Sequence, residues 1–169
     1  FIYWLKKNVG KIAMTELSAG EKLYSFRSQQ ENFIGNSFDP IISYGVHAAI
    51  NHYSATPETD ISIEPGNFLL ADTGGHYYEG TTDVTRTWSC GELNKEEKTA
   101  VTLSVIANLR LADARFLEGC SGIALDYAAR EPFWRRGMNF NHGTGHGVGH
   151  VLNVHEGPTG IRYKAGTIE

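Results

Sequence analysis

The stretch Asn141-His142-Gly143-Thr144-Gly145-His146-Gly147-Val148-Gly149-His150, continuing through Val151-Leu152-Asn153-Val154-His155-Glu156-Gly157-Pro158, constrains this chain more than any other. Residues 141–158 hold four histidines and five glycines. A core segment would supply large apolar side chains here, and a solvated loop has no need of so many imidazoles. Glycine lets backbone approach a ligand closely and adopt positive φ, and histidine is both a metal ligand and a proton carrier near neutral pH. The segment therefore reads as part of a catalytic or metal site.

At 169 residues, 41% apolar and 20% charged, the chain has the make-up of one soluble globular domain with a sizeable core. A net charge of −4 and a pI near 6.0 argue against nucleic acid or an anionic membrane as partner, since both select a basic surface. No apolar run approaches the roughly 18 residues of a membrane span. Phe1-Ile2-Tyr3-Trp4-Leu5-Lys6-Lys7 lacks an initiator Met and a signal-peptide pattern, and the chain stops within a strand approach at Ala165-Gly166-Thr167-Ile168-Glu169. The expectation is a fragment of a cytoplasmic protein. Cys90 and Cys120 are too few for a disulfide framework and lack zinc-ribbon spacing, so they read as reduced thiols.

The first eleven residues look like a helix tail ended near Gly10. Ser18 with Glu21 suggests a capping box for a second helix, with Leu23, Phe26 and Gln30 on one side and Lys22, Arg27 and Glu31 on the wet side. Pro40–Gly45 and Ala48–Tyr53 are short β-prone runs that predict two strands or a hairpin, with His52 closing the second. Residues 54–60 are loop. Asn94 is predicted to cap a long helix with Glu96 and Glu97 in its first turn and Val101, Val105, Leu109, Ala112 and Phe116 as its buried stripe. After a turn at Glu118–Gly122, a further helix over Ile123–Arg136 should face inward through Leu125, Ala128 and Trp134.

Between these helices and the loop lies an acidic pair. Glu64-Pro65-Gly66-Asn67 signals a turn, Phe68-Leu69-Leu70-Ala71 is an apolar strand ending on Asp72, and Gly74-Gly75 turns the chain again. It returns through Thr81-Thr82-Asp83-Val84-Thr85-Arg86-Thr87-Trp88, which is rich in strand formers and carries Asp83 eleven residues after Asp72. Consecutive strands joined by a short loop place both carboxylates within reach of one point. An Asp at the end of an apolar strand is costly to bury unless it is paired or binds a cation. Arg86 as an ion-pair partner accounts for one of the two more readily than for both. Two aspartates with a glycine-cushioned histidine form a mixed oxygen and nitrogen ligand set suited to Mn²⁺, Co²⁺, Fe²⁺ or Zn²⁺. A pair of such ions bridged by a carboxylate can hold a hydroxide, and the surplus histidines can stabilise an oxyanion or carry a proton.

Four blocks resemble the signatures of aminopeptidase P, the Xaa-Pro aminopeptidases of the creatinase and methionine aminopeptidase superfamily (metallopeptidase family M24). They are Asp72-Thr73-Gly74-Gly75, Gly80-Thr81-Thr82-Asp83-Val84-Thr85-Arg86-Thr87, His142–Gly149 and Asn153-Val154-His155-Glu156-Gly157-Pro158. Ile50-Asn51-His52-Tyr53 and Thr56-Pro57-Glu58-Thr59 extend the likeness, which runs in order from about residue 15. The resemblance implies an α+β, pita-bread fold, a curved antiparallel sheet with helices on its outer face and a dinuclear metal site in its concavity. It implies Asp72, Asp83 and His146 as metal ligands, Asp83 touching both of two divalent ions, Mn²⁺ foremost and Co²⁺ or Zn²⁺ otherwise. His155 falls at the proton-transfer position, and His52 and His142 at positions that hold the peptide near the scissile bond. His150 matches no functional position, and Arg86 would brace the ligand strand.

The implied reaction removes the N-terminal residue from peptides with proline second, with a metal-bound hydroxide as nucleophile. Proline fixes φ and has no N–H, so a site shaped for it excludes ordinary peptides. The family completes its site with two later glutamates, whose blocks are missing here, although Glu169 follows a turn resembling the approach to the first. Residues 1–169 are thus expected to be a fragment of a single catalytic domain, without the family's N-terminal domains or last ligand strands. The parent protein is expected to be a homo-oligomer. Prolidase, acting on Xaa-Pro dipeptides, is the runner-up, with less support for methionine aminopeptidase or creatinase-like hydrolysis. A non-catalytic peptide-binding module of the same fold is the alternative from another class, though such modules lose ligand residues that this chain retains.

Overall fold

The computed structural model describes residues 1–163, so Glu169 lies outside the described residues. The chain divides into two compact units, Phe1–Leu93 with Val148–Val154, and Asn94–Gly147 with the segment from His155 onward.

In the first unit, α1 (Ile2–Asn8) and α2 (Glu16–Arg27) precede β1 (Phe33–Asn36), β2 (Ile41–Tyr44), a 3₁₀ turn (Gly45–Ala49), β3 (Phe68–Thr73), β4 (Gly75–Tyr77), β5 (Gly80–Thr81) and β6 (Val84–Ser89). Two antiparallel sheets result, in the orders β1-β4-β5 and β2-β3-β6. Strand β3 alternates half-buried and buried residues, and Leu69 and Ala71 enter a core with Leu5, Met14, Ala19, Leu23, Ile42 and Ile63. Helix α2 starts a turn earlier than the Ser18–Glu21 pair suggests. Thr15 is its cap, Thr15 Oγ1 accepting the Ser18 N–H at 3.2 Å and Ser18 Oγ the Thr15 N–H at 2.8 Å. Ser18 is the far side of the box, three residues into the motif.

The run Ala48–Tyr53, expected as a strand, is instead the end of the 3₁₀ turn and a loop. Gly45 turns the chain at φ 57°, and His47 and Tyr53 are then drawn toward the buried Glu16 carboxylate rather than toward a sheet edge. Cys90 is buried in this unit's core, where desolvation raises the thiol's pKa, and Cys120 is exposed; both are free, as the sequence reading expected.

The second unit holds α3 (Lys95–Ala112), α4 (Gly122–Trp134) and β8 (His155–Ile161), together with its partner strand β7 (Gly145–Val148) as far as Gly147. Asn94 caps α3 as expected, in a reciprocal box with Glu97. The buried stripe, however, is Leu103 and Ala107, with Leu111 beside them, packed on Ala129 and Phe133 of α4. Val101, Val105 and Leu109 are 39, 52 and 61% exposed. The two rows differ by two residues, about 200° around the helix, and both are apolar, so a period of 3.6 cannot choose between them. In α4 the inward row is Asp126, Ala129, Arg130 and Phe133, whereas Leu125 and Ala128 are half-buried and Trp134 is exposed. Glu131 pairs with Arg135 and with Arg110 of α3, and the hydrogen bond from Arg135 foremost holds its carboxyl below the usual range. Among the described residues no helix is long and apolar enough to cross a membrane.

Candidate metal centre

Antiparallel register places Ile41, Asp72 and Thr85 side by side across β2, β3 and β6. Asp72 projects from the half-buried face of β3, and Asp83 immediately precedes β6, two residues before the Thr85 that pairs with Asp72. That face is opposite the one through which Leu69 and Ala71 enter the core. Strands β3 and β6 are not joined by the short loop expected. The chain between them makes a detour through β4 and β5, which belong to the other sheet, yet returns in register.

Residue 82 is what fixes the return. Ser37 Oγ donates to the Thr82 carbonyl at 2.8 Å, the Thr82 N–H donates to the Gly75 carbonyl at 2.9 Å, and the Gly75 N–H donates to Thr82 Oγ1 at 3.0 Å. A Cβ at Gly74 would stand 2.0 Å from the Thr82 carbonyl oxygen, so only glycine permits this approach. The Gly-Gly and Thr-Thr that flank the two aspartates are therefore the clasp that aims Asp83.

Asp72 shows what this face lacks within the polypeptide. Its Oδ1 is buried and has no hydrogen-bond partner, and Ser43 Oγ, on the same face of β2, is likewise buried without one. A carboxylate oxygen withdrawn from water without a partner is strongly destabilising, and a cation relieves it. The residues present fit a divalent metal ion.

In the second unit, β7 and β8 bring His146 and His155 together, with ring centroids 3.9 Å apart. His146 Nδ1 lies 2.8 Å from the Gly147 carbonyl oxygen. A carbonyl only accepts, so Nδ1 carries the hydrogen in this contact and Nε2 is left as the nitrogen that would face a metal. A Cβ at Gly147 would come within 2.3 Å of the Glu156 carbonyl oxygen, so glycine is required for β7 to lie this close to β8. His142 is exposed, its Nδ1 2.7 Å from the Gly143 carbonyl oxygen.

The support beneath this segment is one the apolar pattern skips. Arg130 is 1% exposed; its Nε donates to Asp126 Oδ2 at 2.7 Å, Nη1 to Asn139 Oδ1 at 3.1 Å and the Phe140 carbonyl at 2.5 Å, and Nη2 to the His142 carbonyl at 2.7 Å. Asp126 Oδ1 accepts the Thr144 hydroxyl. The guanidinium is stacked 3.9 Å from the Phe140 ring and 4.4 Å from that of Tyr163. One buried ion pair thus grips the chain at 139, 140, 142 and 144, on the approach to His146.

Of the remaining sequence-derived residues, His52 is in the first unit, exposed and in the left-handed region at φ 57°. His150 is exposed, in keeping with a surface role. Arg86 is exposed and donates from Nη1 to the Thr85 carbonyl at 2.7 Å, bracing its own strand rather than pairing through this contact with a carboxylate.

The sequence matches the family description "Metallopeptidase family M24" over residues 1–169. The chain belongs to metallopeptidase family M24. It is 47% identical over 163 residues to a probable Xaa-Pro aminopeptidase P from Botryotinia fuckeliana, a match covering 95% of this chain and 25% of that protein. The X-prolyl aminopeptidase of Caenorhabditis elegans, described as a cytosolic enzyme with a di-nuclear active site, superposes with a TM-score of 0.91 at 39% identity, over 99% of this chain and 28% of that one. A prolidase from Pyrococcus furiosus superposes at 0.82 with 27% identity, over 96% and 46%. The α+β pita-bread class implied by the resemblance is the class of these M24 neighbours. The chain spans about a quarter of the length of the Botryotinia relative.

Proposed function

We propose that this chain supplies metal ligands and substrate-handling residues to a metal-dependent exopeptidase that releases the N-terminal residue from peptides with proline in second position. The single observation that carries the metal requirement is the buried, partnerless Oδ1 of Asp72. The substrate class is supported by the names of the relatives, Xaa-Pro aminopeptidase P among the sequences and X-prolyl aminopeptidase among the structures. Residues 1–169 are taken as part of one catalytic domain.

Asp72, Asp83 and His146 would hold the metal, two divalent ions by analogy with the di-nuclear Caenorhabditis enzyme, with Mn²⁺ the first choice. Bound there, the ions supply an activated water and positive charge opposite a developing oxyanion. Asp83 contributes a carboxylate on a chain fixed one residue earlier by the hydrogen bonds of Thr82 to Ser37 and Gly75, and His146 an imidazole oriented by the Gly147 carbonyl. His155 carries a proton to the departing proline nitrogen, which has no hydrogen of its own. His52 and His142 hold the peptide on either side of the scissile bond. A cytoplasmic place of action is supported by the description of the Caenorhabditis neighbour, and a homo-oligomeric parent without nucleic-acid or membrane partners by the family likeness and the net charge of −4.

The test is a set of peptides offered to the Mn²⁺-supplemented full-length parent protein. Release of the first residue from Xaa-Pro-Xaa, with Xaa-Ala-Xaa slower by at least about 10²-fold, is the expected result. Cleavage confined to Xaa-Pro dipeptides would turn the reading to prolidase, whose fold the chain shares. Binding of Xaa-Pro-Xaa without turnover would replace the enzyme by a peptide-binding module.

A further inference from the structure

One buried charge lies outside both the acidic strands and the His-Gly segment. Glu16, in the first turn of α2, is 1% exposed. Its Oε1 accepts the Tyr44 N–H at 2.6 Å, and His47 Nδ1 stands 3.0 Å from both carboxylate oxygens. Tyr53 Oη lies 3.3 Å from Oε2 and 3.1 and 3.2 Å from Thr59 Oγ1 and its carbonyl oxygen, and the Tyr53 ring stacks on that of His47 at 4.2 Å. A carboxylate only accepts, so His47 Nδ1 carries the hydrogen in this contact.

The helix itself does not require this carboxylate. Its N-terminus is already served by the Thr15–Ser18 box and by Asp60 Oδ1, which accepts the Leu17 N–H at 3.0 Å. Packing alone would be met by an apolar side chain, without the cost of burying charge. The demand comes from the loop. Glu16 fastens residue 44 at one end of the turn, 47 in its middle and 53 at its far end, and His52 sits next to the last of these. His52 holds φ 57°, a conformation costly for a residue with a Cβ and one that persists where surrounding contacts enforce it.

We infer that Glu16 is a positioning residue for substrate binding, clamping the Tyr44–Tyr53 segment so that His52 keeps its place against the peptide. This rests on the assignment of His52 to peptide binding made above. The experiment is a double-mutant cycle in the metal-loaded protein, with Glu16→Ala, His52→Ala and the pair assayed on Xaa-Pro-Xaa. Hydrogen exchange of the Tyr44, Ile50 and Tyr53 amides is followed in the same variants. Each single change is expected to lower kcat/KM by roughly 10- to 100-fold, mainly through KM, with metal content unchanged. The pair is expected to lose no more than His52→Ala alone. Exchange at the three amides should quicken in Glu16→Ala. Tyr53→Phe, which keeps the ring stack and removes only the hydroxyl, should move KM the same way by a smaller factor and guards against a variant that simply fails to fold. Additive losses, or parental kinetics in both Glu16→Ala and Tyr53→Phe, overturn this inference alone. Parental kinetics in His52→Ala overturn the reading of His52 and this inference with it.

Discussion

Replacing Arg130 with methionine is expected to cost about 3–5 kcal/mol of folding stability, because it strands the Asp126 carboxylate in a site where the residue is 0% exposed. Methionine preserves much of the volume but none of the hydrogen bonds to Asp126, Asn139, Phe140 and His142. Urea unfolding of parent and variant measures the loss. Replacing both partners, Asp126→Leu with Arg130→Met, should recover a large part of it, since an apolar pair leaves no uncompensated charge. The double variant should still show faster amide exchange at Thr144, whose N–H donates to the Ile161 carbonyl, because Asp126 no longer receives the Thr144 hydroxyl. Equal stability of Arg130→Met and parent would mean that the ion pair does not hold the His-Gly segment.

Asp72→Asn should act in opposite directions on the two states of the protein. Without metal, replacing the carboxylate by a neutral amide of the same shape removes a charge whose Oδ1 is buried without a partner, and stability should rise by about 1 kcal/mol. With metal, the variant should lose the ligand's charge and with it most of the stabilisation that cation binding gives the parent, about 2.7 kcal/mol at a hundredfold excess over Kd. Thermal melts with chelator and with Mn²⁺ read both effects. The crossing of the two orders is the diagnostic, since a merely structural aspartate would give the same sign under both conditions. Ser43 offers the control: its orphaned hydroxyl lies on the same face, and Ser43→Ala should raise stability slightly whether or not metal is present.

The parts legible in sequence were those where one residue type answers one local demand. Asn94 with Glu96 and Glu97 announced the start of α3, and the Phe68–Asp72 and Thr81–Trp88 runs announced a strand pair, which forms over Phe68–Thr73 and Val84–Ser89. The illegible parts depended on what a distant segment offered. The detour through β4 and β5 is invisible to local pattern, because its strands are two and three residues long and pair toward β1. The buried face of α3 was misread because Val101, Val105 and Leu109 form an apolar row as regular as the one that packs.

Charged core residues were the other blind spot. Asp126 and Arg130, four apart on a helix, look like an ordinary solvated pair, and Glu16 looks like a first-turn acid placed for the helix dipole. Each is buried because a loop brings unpaired backbone and side-chain groups to it. The one sequence signal was the excess of demanding neighbours. Gly-rich backbone from 143 to 149 needs an external clamp, and Tyr44, His47 and Tyr53 bring three polar groups to a single turn.

The most direct measurement is anomalous X-ray scattering from a crystal of the protein soaked in Mn²⁺. Manganese peaks are expected within coordination distance of carboxylate oxygens of Asp72 and Asp83 and of His146 Nε2. Anomalous density elsewhere, with Asp72 Oδ1 still without a ligand in a metal-saturated crystal, would contradict that expectation.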